Sequence, residues 1–143
     1  MKRREVRELA LKVLYANDIG KNDTNSIMQQ LFTEENIGET GREFCRLLVA
    51  GVMANVEEID QLIRKYSTDW PLDRMAAVDR NLMRIALFEF LFSDGVPGAV
   101  AVNEALEVAK NYGSAESPRF INGILGNILK DLPQLRADLE RGN

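Results

Sequence analysis

The stretch from residue 73 to residue 90, DRMAAVDRNLMRIALFEF, decides the fold of this chain. Its apolar residues cover most of the circumference of a helix, and a helix that is apolar nearly all round is buried by its neighbours. We therefore predict a central helix over about residues 73–92, with the other helices packed around it. The charged pairs Asp73/Arg74 and Asp79/Arg80 are typical of ion pairs on such a helix. Their acidic members are alternatively candidates to face a basic partner.

Three helical patterns precede this central helix. The first ends near Gly20, and the second is short, with Thr24 as its candidate cap. The third is a long apolar stripe over residues 44–66, with a bend expected near Asn55. The segment STDWPLD (67–73) then interrupts the pattern, because the residue before a proline disfavours helical backbone. A turn here separates two halves of similar size.

Two further helices and a short charged piece follow the central helix. After the turn SDGVPG (93–98), the apolar pattern predicts a helix that is closed by Gly113. Ser117 and Pro118 start the next helix, because serine is a favourable cap and proline is preorganised for the first helical position. Pro133 interrupts that helix before the C-terminal piece.

Two asparagines lie among the apolar residues of these last two helices. A buried amide must be hydrogen-bonded, so we predict that Asn103 and Asn122 bond to each other or to nearby backbone. Gly123 and Gly126 are expected to permit a close approach of the two helices.

The complete pattern predicts an all-α single domain over residues 1–143. It consists of two three-helix halves packed together, over about residues 1–68 and 69–143, with a short C-terminal helical piece. No segment shows the sustained alternation that is typical of a β-strand.

Composition restricts the chemistry of this domain. The 143-residue chain has no histidine and one cysteine, Cys45, which excludes an intrachain disulfide, Cys/His zinc sites and histidine-based triads. It has no glycine-rich phosphate loop and no compact Asp/Glu cluster, so we expect no enzyme, no bound metal and no cofactor. No apolar run approaches the ~20 residues of a membrane span, and the N-terminus does not resemble an export signal. A cytoplasmic location is therefore expected.

Charge is unevenly distributed along the chain. The net charge is −4, but residues 1–12 carry +3, which leaves −7 for the remainder. The cations of this segment are Lys2, Arg3, Arg4, Arg7 and Lys12, and its anions are Glu5 and Glu8. Because positive charge is unfavourable at a helix N-terminus, we expect an anionic ligand to offset the first four cations, with a solvated helix face as the alternative. If that ligand is a single nucleic-acid strand and each of the four cations contacts one phosphate, the predicted slope of log affinity against log salt is roughly −3.

The start of the sixth helix is a second candidate for nucleic-acid contact. Phe120 lies in its first turn, where backbone N–H groups lack partners and attract phosphate. Arg119 adds positive charge, and an aromatic ring at this position is able to stack on an unpaired base. Packing of Phe120 into the core is the alternative interpretation.

Four stretches together resemble the NusB family of bacterial transcription antitermination factors. They are the Arg-rich first helix with ALKVLY (10–15), FCRLLVAGVMAN (44–55), the central stretch (73–90), and VNEALEVAKNYGSAESPRFINGIL (102–125). The resemblance extends over nearly the whole chain, and the last two stretches are its most specific part.

The resemblance implies an all-helical protein of two three-helix halves without catalytic activity. Proteins of this family bind the boxA element of ribosomal-operon transcripts together with NusE, a small-subunit ribosomal protein, in an RNA polymerase antitermination complex. The implied RNA contacts are Lys2, Arg3, Arg4, Arg7, Tyr66, Glu116, Arg119 and Phe120. The acidic remainder of the chain suits a basic partner, and the candidate contacts on the central helix are Asp73, Asp79 and Glu89.

Three alternatives from other classes remain open on the sequence. The first is a helical adaptor that binds only proteins, and the second is an RNA-binding helical domain like the one fused to some ribosomal RNA methyltransferases. The third is an enzyme, which the absence of histidine disfavours. The sequence also leaves open whether the protein is a monomer or a homodimer.

Overall fold

The computed structural model describes residues 2–93 and 95–142, and all regular secondary structure within these ranges is helical. The predicted all-α class is therefore confirmed. The α-helices are α1 (Arg3–Gly20), α2 (Thr24–Glu34), α3 (Glu39–Ala54), α4 (Val56–Tyr66), α5 (Ala77–Leu87), α6 (Gly98–Tyr112), α7 (Ser117–Lys130) and α8 (Leu132–Gly142). A 3₁₀ turn at Leu72–Arg74 precedes α5, and a π-helical segment at Phe88–Phe92 continues it. None of the helices in these ranges is long and apolar enough to cross a bilayer.

Helix α5 lies at the centre of the molecule, where it contacts α1, α3, α4, α6 and α7. Its side chains Leu82, Met83 and Leu87 are almost completely buried. Burial of one such side chain stabilises the fold by about 1.5–3 kcal/mol. The prediction that this stretch forms a buried central helix is confirmed.

The central helix begins later than the sequence pattern predicts. Residues Leu72–Arg74 form the 3₁₀ turn, and Met75 is extended, with φ −69° and ψ 150°. The backbone carbonyls of Leu72 and Met75 accept hydrogen bonds from the buried Arg80 guanidinium, at 2.9 and 3.2 Å. Because these carbonyls have side-chain partners, they do not require the hydrogen bonds of a longer helix.

The long third pattern of the N-terminal half is divided into α3 and α4 at Asn55. This residue leaves the helical region, with φ −117° and ψ 15°. Its side-chain amide donates a hydrogen bond of 2.8 Å to the carbonyl of Gly51. An asparagine side chain that bonds to nearby backbone competes with the helix. The place of the predicted bend is therefore correct, but the prediction of one continuous helix is wrong. The N-terminal half therefore contains four helices instead of three.

Two helix starts differ in detail from the sequence pattern. The cap of α2 is Asp23, whose carboxylate accepts a hydrogen bond from the N–H of Ser26 at 3.0 Å, and Thr24 is the first helical residue. Ser117 is fully buried inside the first turn of α7, and its hydroxyl accepts a hydrogen bond from the N–H of Ser114 at 2.9 Å. Ser117 therefore holds the preceding turn in place and does not cap the helix.

The predictions for the two asparagines and two glycines of α6 and α7 are wrong. Asn103 and Asn122 are exposed, because each falls opposite the buried stripe of its helix. A Cβ atom built on Gly123 or Gly126 meets no atom within 4 Å, so these glycines permit no close approach.

Close packing occurs instead at Gly51 on α3. A Cβ atom built there would lie 2.1 Å from the ring of Phe88 in the π-helical segment. No real Cβ atom tolerates such a contact, so only glycine lets this ring rest against the backbone of α3.

We expect Gly51→Ala to lower the free energy of unfolding by about 1–3 kcal/mol, because the added methyl overlaps the Phe88 ring. Gly126→Ala is the matched control, since its Cβ meets no neighbour and alanine favours a helix by up to about 1 kcal/mol. Urea unfolding followed by circular dichroism measures both. Equal stabilities of the two variants would contradict the packing described for Gly51.

Candidate nucleic-acid interface

The basic start of the chain is exposed at three of its four predicted positions. Lys2, Arg3 and Arg4 are accessible to solvent. The Arg3 guanidinium lies over the ring of Phe44, 4.3 Å from its centroid, and this contact orients the side chain. All three cations are accessible to an anionic ligand, and Arg4 is also paired with Glu104.

Arg7 does not belong to this exposed group. Its side chain is 8% exposed, and its Nε and Nη2 atoms donate to the two carboxylate oxygens of Glu89 at 2.8 and 3.1 Å. Glu89 lies in the π-helical segment and is 2% exposed. The expectation that Arg7 contacts RNA and that Glu89 contacts a partner is corrected, because each group neutralises the other in the interior. A buried pair of this kind leaves neither charge free for a ligand.

Glu104 on α6 connects the buried pair to the exposed cations. It accepts hydrogen bonds from Arg4 at 2.8 and 3.1 Å and from Arg7 at 3.4 Å. The hydrogen bond from Arg4 holds the pKa of Glu104 below its usual value. Glu104 thus fixes the orientation of Arg4. Because the two residues lie 100 positions apart, no pattern in the sequence indicates this contact.

A groove of about 520 Å³ lies between the α4–α5 connection and the start of α7. It is lined by aromatic, charged and small side chains: Tyr66, Ser67, Thr68, Asp69, Trp70, Glu116, Arg119, Phe120, Gly123, Ile124 and Asn127. The four residues implied outside the basic start, Tyr66, Glu116, Arg119 and Phe120, therefore come together at one site.

The aromatic rings of this groove differ in their surroundings. Phe120 is half-buried, so it packs against the core and also lines the groove. The Tyr66 hydroxyl donates a hydrogen bond to Asp131, which raises the pKa of Tyr66 to about 12. Trp70 is 52% exposed, and the sequence pattern indicated it only as part of a helix-breaking turn.

The turn that carries Trp70 is anchored by charges on α5. Arg80 pairs with Asp18 of α1 at 2.8 Å, and not with its neighbour Asp79. The same Asp18 oxygen accepts hydrogen bonds from Asn81 at 3.0 Å and from Arg84 at 3.1 Å. Burial by itself raises the pKa of Asp18, but the hydrogen bonds from Arg80 and Asn81 outweigh it, so this pKa lies below its usual value.

The acidic candidates for partner contact differ in their exposure to solvent. Asp79 is buried, and its Oδ1 atom has no hydrogen-bond partner. It therefore presents no carboxylate to a partner, and that prediction is corrected together with the one for Glu89. Asp73 is exposed in the 3₁₀ turn and stays a prediction.

Cys45 is unsuited to nucleophilic chemistry. It is fully buried on α3, and burial raises the pKa of its thiol to about 12. A thiol with such a pKa is neutral near pH 7, whereas the thiolate is the reactive form. In the part of the chain that the structure describes, no group of three His, Cys, Asp or Glu side chains is arranged to hold a metal ion.

Exposed cations and an aromatic groove on one helical scaffold are the features of a nucleic-acid-binding helical protein. The family model described as the NusB family matches residues 4–130, and the chain belongs to this family. Only α8 lies wholly outside the matched region.

Similar proteins agree with this assignment. The chain is 47% identical to the transcription antitermination protein NusB of Desulforamulus reducens over 129 residues, which cover 90% of each chain. It is 45% identical to that of Pelotomaculum thermopropionicum, over 95% of this chain and 94% of the relative. The structure of T. maritima NusB is 34% identical, with a TM-score of 0.85 over 96% of this chain and 98% of the other.

One similar structure contains a NusB protein together with other molecules. It is a crystal structure of antitermination factors NusB and NusE in complex with dsRNA. Its matched chain is 27% identical, with a TM-score of 0.82 over 90% of this chain and 96% of the other.

We expect Arg7→Ala to lower the free energy of unfolding by about 3–5 kcal/mol, because it leaves the buried Glu89 unpaired. Arg3→Ala removes an exposed cation from the same helix and is expected to cost no more than about 1 kcal/mol. A combined Arg7→Met/Glu89→Leu variant is expected to recover most of the lost stability, because no buried charge is left. Urea unfolding measures all three, and equal effects of the two single substitutions would show that Arg7 is not buried in a pair.

We expect Asp18→Asn to destabilise the protein at neutral pH and not in acid. Because the pKa of Asp18 is lowered in the folded state, its charge stabilises the fold above the unfolded pKa of about 3.8. This contribution is lost as the pH falls through the folded pKa. The difference in unfolding free energy is therefore expected to be constant above about pH 5 and to shrink below about pH 4. Urea titrations over this range, with the exposed Asp73→Asn as control, measure it, and a constant difference would contradict the ion pair.

Proposed function

We propose that this protein is a transcription antitermination factor that binds the single-stranded boxA element of ribosomal RNA operon transcripts together with NusE. In that role it supports read-through of terminators by RNA polymerase. The observation that carries the proposal is the groove in which Tyr66, Glu116, Arg119 and Phe120 meet, on a chain of the NusB family.

The distribution of charge supports binding of one RNA strand along a defined strip. Phosphate contacts position a strand, while stacking and base-edge contacts supply sequence preference. Lys2, Arg3 and Arg4 offer the phosphate contacts, and the groove offers aromatic faces. The negative charge of the remaining chain disfavours indiscriminate coating by RNA.

The relatives support the partners named in the proposal. Those described above are called transcription antitermination proteins, and one similar structure contains both NusE and RNA. For this chain, the exposed Asp73 is the remaining candidate for contact with a basic ribosomal protein.

We infer that the protein has no catalytic activity of its own. A chain without histidine, whose one thiol is buried and neutral, offers few groups for acid–base or nucleophilic chemistry. Action on nascent bacterial transcripts implies a cytoplasmic protein.

Fluorescence anisotropy with a labelled boxA-like single-stranded RNA and a scrambled control tests the proposed function. We expect a preference for boxA that NusE increases, and a slope of log affinity against log salt of roughly −2, since three cations each contribute about −0.7. Arg3→Ala/Arg4→Ala is expected to reduce this slope to about −0.7. Arg46→Ala/Arg141→Ala, which removes two exposed cations from α3 and α8, serves as the charge-matched control.

Equal and weak binding to both RNAs, unaffected by Arg3→Ala/Arg4→Ala, would contradict the proposed function. That result would favour a helical adaptor that binds only proteins.

A further inference from the structure

We propose that Trp70 is a stacking platform that receives one unpaired base of the bound RNA in the groove between the α4–α5 connection and α7. The inference rests on the proposed function and assigns a role to a residue outside the predicted RNA contacts. It states that this groove binds a base, while the exposed cations of α1 bind the backbone.

The indole of Trp70 is held in place before any ligand arrives. Its Nε1–H donates a hydrogen bond to the carbonyl of Arg74 at 3.2 Å. The hydroxyl of Ser67 donates to the carbonyl of Trp70 itself at 2.8 Å. Pro71 follows directly and restricts the backbone. A side chain that is ordered in advance loses little entropy on binding, so an aromatic face presented in this way binds efficiently.

The turn behind Trp70 is fixed to the core. The Arg80 guanidinium, which is itself buried, donates to the carbonyls of Leu72 and Met75. Arg80 also pairs with Asp18 of α1. Trp70 therefore projects from a turn whose next residues are bonded to the central helix, although half of its own surface faces solvent.

The opposite wall of the groove leaves room for a planar ligand. Phe120 offers a second, half-buried aromatic ring. Gly123, one turn further along α7, has no side chain, and a Cβ atom built there has no neighbouring atom within 4 Å. The volume of about 520 Å³ lies within the range of small-ligand sites.

The charges of the groove favour a base over a phosphate. Its charged residues are one cation, Arg119, and two anions, Asp69 and Glu116. This excess of negative charge repels phosphate, whereas stacking on an indole depends on the uncharged face of a base. Because bases in a duplex already stack on each other, the base that enters must come from a single strand.

Trp70 is the only tryptophan of the chain, so its fluorescence reports directly on this groove. The probes are the boxA-like single-stranded RNA and an RNA of equal length in which all positions are abasic. We expect the first to quench Trp70 emission at the concentration at which anisotropy reports binding. The abasic strand is expected to bind the cations of α1 without quenching.

Substitution of Trp70 tests the energetic role of stacking. We expect Trp70→Leu to weaken boxA binding about 5- to 150-fold, which corresponds to the loss of one base–aromatic stack. Trp70→Phe is expected to retain most of the affinity, since it keeps an aromatic face. Leu47→Ala is the matched control, because Leu47 is 54% exposed and lies on α3, outside the groove. Thermal unfolding verifies that each variant is folded, and the quenching experiment does not depend on any variant.

The outcomes separate the inference from the proposed function. If boxA RNA binds with the expected preference but leaves Trp70 emission and the Trp70→Leu affinity unchanged, the inference is overturned and the function stands. If the abasic strand quenches as strongly as boxA, the groove binds phosphate and the inference is wrong. Quenching by NusE alone would mean that a protein segment occupies the groove, which also overturns it. Absence of any boxA binding would overturn both.

Discussion

Most charged residues of a central helix that is covered on every side are neutralised by partners inside the molecule. Helix α5 and the π-helical segment after it carry Arg80, Arg84 and Glu89, all of which are buried or nearly so. Isolated charges in such positions cost several kcal/mol each. The surrounding helices therefore supply the partners: α1 provides Arg7 and Asp18, and α4 provides Asp60, which binds Arg84 through two hydrogen bonds. These ion pairs join α1 and α4 of the N-terminal half to α5 and the segment after it.

The same constraint determines which groups remain for RNA. Arg7 is one helical turn from Arg3 and has the same chemistry, yet it is used to neutralise Glu89. Arg4 is intermediate, because Glu104 orients it while leaving it 46% exposed. The groove depends on α5 in a similar way, since Arg80 fixes the turn that carries Trp70. Internal neutralisation and ligand binding thus both depend on ion pairs made by α5 and the segment after it.

Much of the fold was predictable from the sequence, and so was part of the candidate site. The end of α6 at Gly113 follows from local backbone chemistry, and the bend predicted at Asn55 is a helix boundary in the structure. The break predicted at Pro133 falls at Asp131 instead, and Pro133 lies in the first turn of α8. The predictions for Asn103 and Asn122 failed, because a shift of one residue around a helix moves a side chain from the core to solvent. The predictions for Asp79 and Glu89 failed similarly, since both side chains are buried.

The sequence by itself determined the all-helical class, the identity of the buried central helix and the concentration of positive charge at the N-terminus. These properties depend on residues that are close together in the chain, so the periodicity and composition of the sequence indicate them. Only the tertiary structure decided which arginines stay free and which aromatic rings share a groove. Glu89 is 82 residues from Arg7, and Trp70 shares a groove with Phe120 only because α7 packs beside α4 and α5. Contacts over such distances depend on how helices pack, and no local pattern encodes them.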